Sequence, residues 1–242
     1  MQRSAMERGI RACSTGRWAV AAAALVAAAA CGDTTFNTIT AIPTTLTFSA
    51  ASSGQTGTVG QPLAQPISVQ VTDQAGNPII GVVVTWTVLS GGGSVSSATS
   101  TTDVNGDASV VWTLGTVAGT NTLRASIATG ASADISAEGV SAAGSTMAIT
   151  SGNPQTITLG ATTAPMVVHV ADQFGNAVAG ATVTWTTTGG TLSATSTTTD
   201  ASGNAQVTLD TSGPTVLPLP VIFTVTASSG TLPSAVFTIT AM

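Results

Sequence analysis

The chain has 242 residues, enough for one or two domains, with 43% hydrophobic but only 6% charged residues, and neither Tyr nor Lys occurs. Thr and Val, whose stiff χ1 suits a pleated surface, dominate where long-chain helix formers are scarce, so an all-β chain is expected. Four of the five basic residues fall within the first 17. What remains cannot neutralise a row of phosphates, which excludes nucleic-acid binding and electrostatic docking on anionic lipid.

The first 30 residues differ from the rest. Arg3, Arg8, Arg11 and Arg17 make a basic start, and Trp18–Ala30 is an uncharged run rich in Ala. That run is shorter than the ~20 apolar residues of a transmembrane helix. A basic start, a short apolar run and small residues after it describe a signal peptide, assigned to residues 1–30. Beyond it the chain keeps one Arg against nine acids, a formal net charge of −8. Cys13 lies in the signal region and Cys31 alone follows it, so no intrachain disulfide can form downstream.

Ala28-Ala29-Ala30-Cys31 resembles a bacterial lipobox, in which small residues precede a Cys that is lipidated and becomes the new N-terminus. The resemblance implies a membrane partner through a lipid anchor on Cys31. Two acyl sites there would hold the chain stably, which a single chain does not. Gly32 after the Cys implies the outer membrane by the enterobacterial sorting rule. The alternative is an ordinary A-x-A cleavage site with Cys31 incidental. Residues 31–42 read as the lipidated Cys and a polar tether closed by Pro43.

From there the sequence repeats. Val69-Gln70-Val71-Thr72-Asp73-Gln74-Ala75-Gly76-Asn77 matches Val168-His169-Val170-Ala171-Asp172-Gln173-Phe174-Gly175-Asn176, and Thr85-Trp86-Thr87 matches Thr184-Trp185-Thr186 at the same spacing. Glycine-rich segments follow, Gly91-Gly92-Gly93 against Gly189-Gly190, and then Thr102-Asp103 with Gly106 against Thr199-Asp200 with Gly203. Period-two stripes predict half-buried strands at Val82–Val88 and Ala181–Trp185, at Val110–Leu114, Leu123–Ile127 and Phe223–Ala227, and at Phe237 with Ile239. Asp73…Gly76, Asp103…Gly106, Asp172…Gly175 and Asp200…Gly203 have the Asp and Gly positions of type I turns. Short strands at regular spacing with such turns predict a sandwich or barrel in each copy.

The order V-x-V-x-D-x-x-G-N, G-x-x-V-T-W, glycine loop and T-D-x-x-G-x-A is similar to the bacterial Ig-like domain of the Big-1 type, the module of the invasin and intimin adhesins. The resemblance covers most of residues 43–242 twice. It implies two tandem immunoglobulin-like β-sandwiches, residues 43–141 and 142–242, linked near Ser141–Ser145, of the kind used as surface stalks. It carries neither the β-barrel nor the lectin-like cap that accompany such modules in those adhesins.

The candidate sites read mostly as structure. His169, the one His, would need a nucleophile and an orienting partner to act as a base, and reads as an exposed strand residue. Asp103-Val104-Asn105-Gly106-Asp107 reads as a turn; the alternative is weak calcium binding at the junction between the copies. Trp86, Trp112 and Trp185 read as core rather than sugar platforms. Gly91–Gly93 lacks the Lys and helix of a phosphate loop and reads as a hairpin or loop. Pro214–Pro220 has no counterpart in copy one and reads as a stiff connection or a binding loop. No cofactor or metal is expected. The function expected is a non-enzymatic cell-surface display or adhesion module, the alternative a binding module for cell-surface polysaccharide or a protein partner.

Overall fold

The computed structural model describes residues 41–213 and 218–242. The signal segment, Cys31, the tether up to residue 40 and the first four residues of Pro214–Pro220 (214–217) lie outside the described residues. Among those described, no helix is long and apolar enough to cross a membrane.

The first copy is built from β1 (Thr45–Phe48), β2 (Thr56–Thr58), β3 (Ile67–Thr72), β4 (Val83–Ser90), β5 (Gly93–Val95), β6 (Thr99–Thr101), β7 (Asp107–Val110), β8 (Trp112–Leu114), β9 (Gly119–Ile127) and β10 (Ser132–Val140). A five-stranded sheet of order β2-β10-β9-β4-β6 faces a three-stranded sheet of order β1-β3-β7, and β5 pairs with β8 as a separate ribbon. All pairings are antiparallel except β2 with β10, which is parallel.

The second copy repeats this plan with β11 (Gly144–Ser151), β12 (Gln155–Ile157), β13 (Met166–Asp172), β14 (Thr182–Thr187), β15 (Thr191–Leu192), β16 (Ser196–Thr198), β17 (Asn204–Val207), β18 (Leu209–Asp210), β19 (Val221–Ser228) and β20 (Ala235–Ala241). Its sheets have the orders β12-β20-β19-β14-β16 and β11-β13-β17, with the ribbon β15-β18. Trp86 lies opposite Ala125, and Trp185 lies opposite Ala227. Two Ig-like β-sandwiches in tandem are therefore present.

The predicted stripes point inward. Val84, Trp86, Trp112, Leu114, Leu123, Ala125 and Ile127 are buried in one core with Ile67, Val69 and Val71. Val183, Trp185, Leu209, Phe223, Val225, Ala227, Phe237 and Ile239 are buried in a second core with Met166 and Val168. The Trp185 and Phe237 rings pack with centroids 6.0 Å apart at 41°. Burying such a side chain contributes roughly 1.5–3 kcal/mol, so each copy closes a core of its own without a disulfide.

One stripe hides a change of partner. Val110, Trp112 and Leu114 all face inward, but β7 ends at Val110 and β8 begins at Trp112, and they belong to different sheets. Val111 is exposed at the switch; its amide donates to Ser96 Oγ (3.2 Å) and its carbonyl accepts from the Ser96 amide (2.9 Å). Only residues 141–143 separate β10 from β11, because the last residues of the expected link, Gly144 and Ser145, already belong to the next strand.

Candidate functional site

All four Asp-x-x-Gly segments close as expected. In each, the Asp amide donates to the carbonyl of the residue four places on, and the Gly amide donates to the Asp carbonyl. The carboxylate takes two more backbone donors: Asp73 Oδ1 from Ala75 and Asn77, Asp103 Oδ1 from Asn105 and Asp107, Asp172 Oδ1 from Phe174 and Asn176, Asp200 Oδ1 from Ser202 and Asn204, all at 2.8–3.0 Å. The glycines have φ of +76° to +87°, where a Cβ would be strained. In each turn Oδ1 of the acid is held by backbone donors.

The Asp103 turn does not lie at the junction between the copies, which corrects the sequence expectation. The Gly106 carbonyl accepts from Val71 at the end of β3 beside Thr45, where the first copy begins, whereas the second copy follows Val140. The turn at the junction is that of Asp172. Among the described residues no group of three or more His, Cys, Asp or Glu is placed to hold a metal ion.

At that junction Asp172 is 2% exposed. Its Oδ2 accepts from the Ala142 amide and from Asn176 Nδ2, both at 2.9 Å. Asn176 in turn reaches the first copy: Nδ2 donates to the Thr116 carbonyl (2.8 Å) and Oδ1 accepts from the Ala118 amide (2.9 Å). The Phe174 ring lies over Gly60, so close that a Cβ there would stand 3.2 Å from it. Burial works against ionisation of Asp172, yet the bonds from Asn176, Ala142 and Phe174 outweigh it and hold the carboxyl below its ordinary value. At Asp73 the Asn77 side chain is the chief cause of the same downward shift.

His169 lies on β13 between Ala148 and Asn204. It is half-buried rather than exposed, because its ring is tucked beside Gly203; a Cβ on that glycine would come within 3.1 Å of Nε2. No nucleophile bonds it, so the catalytic arrangement considered for it is not assembled. Trp86, Trp112 and Trp185 are at most 3% exposed and present no face to a sugar. Trp86 Nε1 donates to Ser100 Oγ and Trp185 Nε1 to Thr197 Oγ1, both at 2.9 Å, while Trp112 Nε1 has no partner.

Gly91 and Gly92 form a loop and Gly93 opens β5; no hairpin closes there, since β5 pairs with β8 and not with β4. Beside the described part of Pro214–Pro220 lies a cavity of about 330 Å³ lined by Leu159, Thr188, Gly189, Gly190, Thr211, Gly213 and Val221–Phe223, with no titratable side chain. Leu219 and Ile222 nearby are 55% and 63% exposed.

Sequence reasoning missed Asn121 and Asn176. Asn121 is fully buried where β9 begins; its side chain accepts from Gly115 and donates to the Gly119 carbonyl. The matching position in copy two is Phe223, and that difference was the available signal. For Asn176 the signal was weaker, since Asn77 occupies the matching place in copy one.

A comparison with curated protein sequences gives no match. Among solved structures, the Escherichia coli adhesin FdeC is 21% identical with a TM-score of 0.58, covering 84% of this chain and 65% of its own. Yersinia pseudotuberculosis InvD is 19% identical with a TM-score of 0.50, covering 80% and 58%. The chain thus spans less than two thirds of either, and at these identities the likeness is one of fold. The model of the bacterial Ig-like domain (group 1) matches residues 63–140 and again 146–240. Two copies of the motif order, two separate cores and two family matches in register place this chain in the bacterial Ig-like domain (group 1) family.

Proposed function

We propose that the chain is a non-enzymatic cell-surface lipoprotein that displays two Ig-like modules, residues 43–141 and 142–242, for adhesion-type contact. A signal peptide of residues 1–30 would direct export, Cys31 would carry the lipid anchor in the outer membrane, and the following residues would form the tether. The observation that supports this most is how the chain uses its chemistry. The described turn carboxylates are occupied by backbone donors, and the one His faces no nucleophile. What remains outward is strand surface and loops, as in a display module. The name of one similar structure describes an adhesin, which agrees with this reading.

Mass spectrometry of the mature N-terminus tests the anchor. An acylated Cys31 is expected, and Cys31→Ser should move the protein from the membrane fraction to the soluble one. An unmodified N-terminus after Ala30 would defeat the lipoprotein part.

A second reading is a binding module for cell-surface polysaccharide or a protein partner. The uncharged cavity beside Pro214–Pro220, with Leu219 and Ile222 exposed around it, favours this reading. Replacing Pro214–Pro220 with Gly/Ser and measuring retention on cell-wall material decides it. Unchanged retention removes that loop from any binding role.

A further inference from the structure

The two copies carry the same turn in two different situations. In copy two, Asp172 is buried, Asn176 is half-buried, and Asn176 bridges to Thr116 and Ala118. In copy one, Asp73 is half-buried and Asn77 is exposed, and among the described residues the Asn77 side chain bonds only its own Asp73 (3.0 Å). Phe174, which covers Gly60, is replaced by the exposed Ala75. Copy one therefore has the turn without the ring.

The receiving end is also unequal. Gly60 sits where its amide donates to the Gly115 carbonyl (2.9 Å), and residues 115–118 lead directly from β8 to β9. Its counterpart Gly160 donates to Thr211 Oγ1 (3.0 Å), and no described residue lies within 4 Å of the place a Cβ would take. There ten residues, 211–220, separate β18 from β19, against four, 115–118, between β8 and β9.

We infer that the Asp172–Asn176 turn is a one-way coupling, in which Phe174 and Asn176 are the residues that select the Gly60/Thr116–Ala118 end of copy one and make the two sandwiches move as one body. Each copy holds only one working half: copy one the seat, copy two the key. The turn is prepared for this by Asp172, which fixes Asn176 through Oδ2 and the incoming chain through Ala142 with the same atom. A fixed Asn loses little side-chain freedom on gripping the rim. Phe174 remains 42% exposed, so its ring adds apolar contact over Gly60 beside two surface hydrogen bonds. This goes beyond display and does not depend on how the chain is anchored.

The test uses ¹⁵N-labelled full chain and NMR relaxation. Wild type should give one rotational diffusion tensor for amides of both modules. Asn176→Asp keeps the size but sets a carboxylate against the Thr116 carbonyl. Combined with Phe174→Ala, it should split the tensor in two, with faster tumbling for each module. Unchanged Trp86 and Trp185 indole resonances would show that both cores remain intact. Independent tumbling in wild type overturns the inference, as does a shared tensor in the double variant. Ala75→Phe tests the second half. It should leave the chain monomeric by analytical ultracentrifugation, and concentration-dependent head-to-tail association would show that the Gly160 end is a working seat after all.

Discussion

Trp112 and Trp185 lie at similar depth but differ by one hydrogen bond. The Trp185 indole is satisfied by Thr197, whereas that of Trp112 is not. Trp185→Phe should therefore destabilise its module by about 1 kcal/mol more than Trp112→Phe does, because it also strands a hydroxyl that had a partner. Urea unfolding followed by circular dichroism measures both; equal losses would mean that the Thr197 bond contributes nothing. Thr102 and Thr199 make a sharper case. Each is buried; its Oγ1 donates to a carbonyl (Ile79 or Val178, 2.6 Å) and accepts an amide (Val82 at 2.9 Å, Ala181 at 2.8 Å). Thr199→Val keeps the shape and orphans both backbone groups, which should cost about 2–3 kcal/mol. Thr198→Val, one place earlier and exposed, should cost far less. The burial of the indoles was legible from period two alone. Which threonine of Ser196-Thr197-Thr198-Thr199 clips the neighbouring loop was not, because identical side chains give no register signal.

Strands were read correctly where alternation was strong, and their partners were not. Nothing in Val110-Val111-Trp112 announces that the chain leaves one sheet for another, because both sheets face the same core and the apolar stripe runs on unbroken. The glycine loop after β4 shows what the switch requires. Gly93 has φ +88°, and a Cβ there would collide with the Thr113 carbonyl oxygen. At Gly115 an added Cβ would collide with the Gly91 carbonyl. Both contacts are with backbone, which cannot turn aside. Gly115→Ala should thus destabilise the first module by about 3 kcal/mol or more. Gly130→Ala, at φ +96° with nothing within 4 Å, should cost only about 1 kcal/mol of backbone strain. Thermal unfolding of the two variants side by side checks the ranking, and an equal penalty would show that the close approach at Gly91 is not a constraint. The sequence displayed these glycines as a loop, but the reason for them lies in a strand twenty residues away.

For the whole molecule, acid is the condition that separates local from diffuse electrostatics. The chain is strongly acidic, so protonation relieves mutual repulsion, and that effect alone would make acid stabilising. Asp73, Asp134, Asp172 and Asp210 point the other way. Hydrogen bonds hold Asp73 and Asp210 below the ordinary carboxyl value, Arg124 does so for Asp134, and at Asp172 the bonds prevail over burial. A depressed folded pKa means that the unfolded chain binds more protons as pH falls. The stability from these groups is therefore complete above the ordinary aspartate value of about 3.9 and is lost as pH drops through the folded values. Repulsion among surface charges is screened over about 8–10 Å, so the hydrogen-bonded carboxyls are expected to set the acid response. The urea midpoint should be flat from about pH 5 to 7 and fall below pH 4. Asp172→Asn should lower it at pH 7, since an amide NH2 in place of Oδ2 cannot accept from Ala142 and Asn176, and the acid decline should become shallower. A midpoint that rises on acidification would mean that repulsion, and not the hydrogen-bonded turns, sets the acid behaviour of this fold.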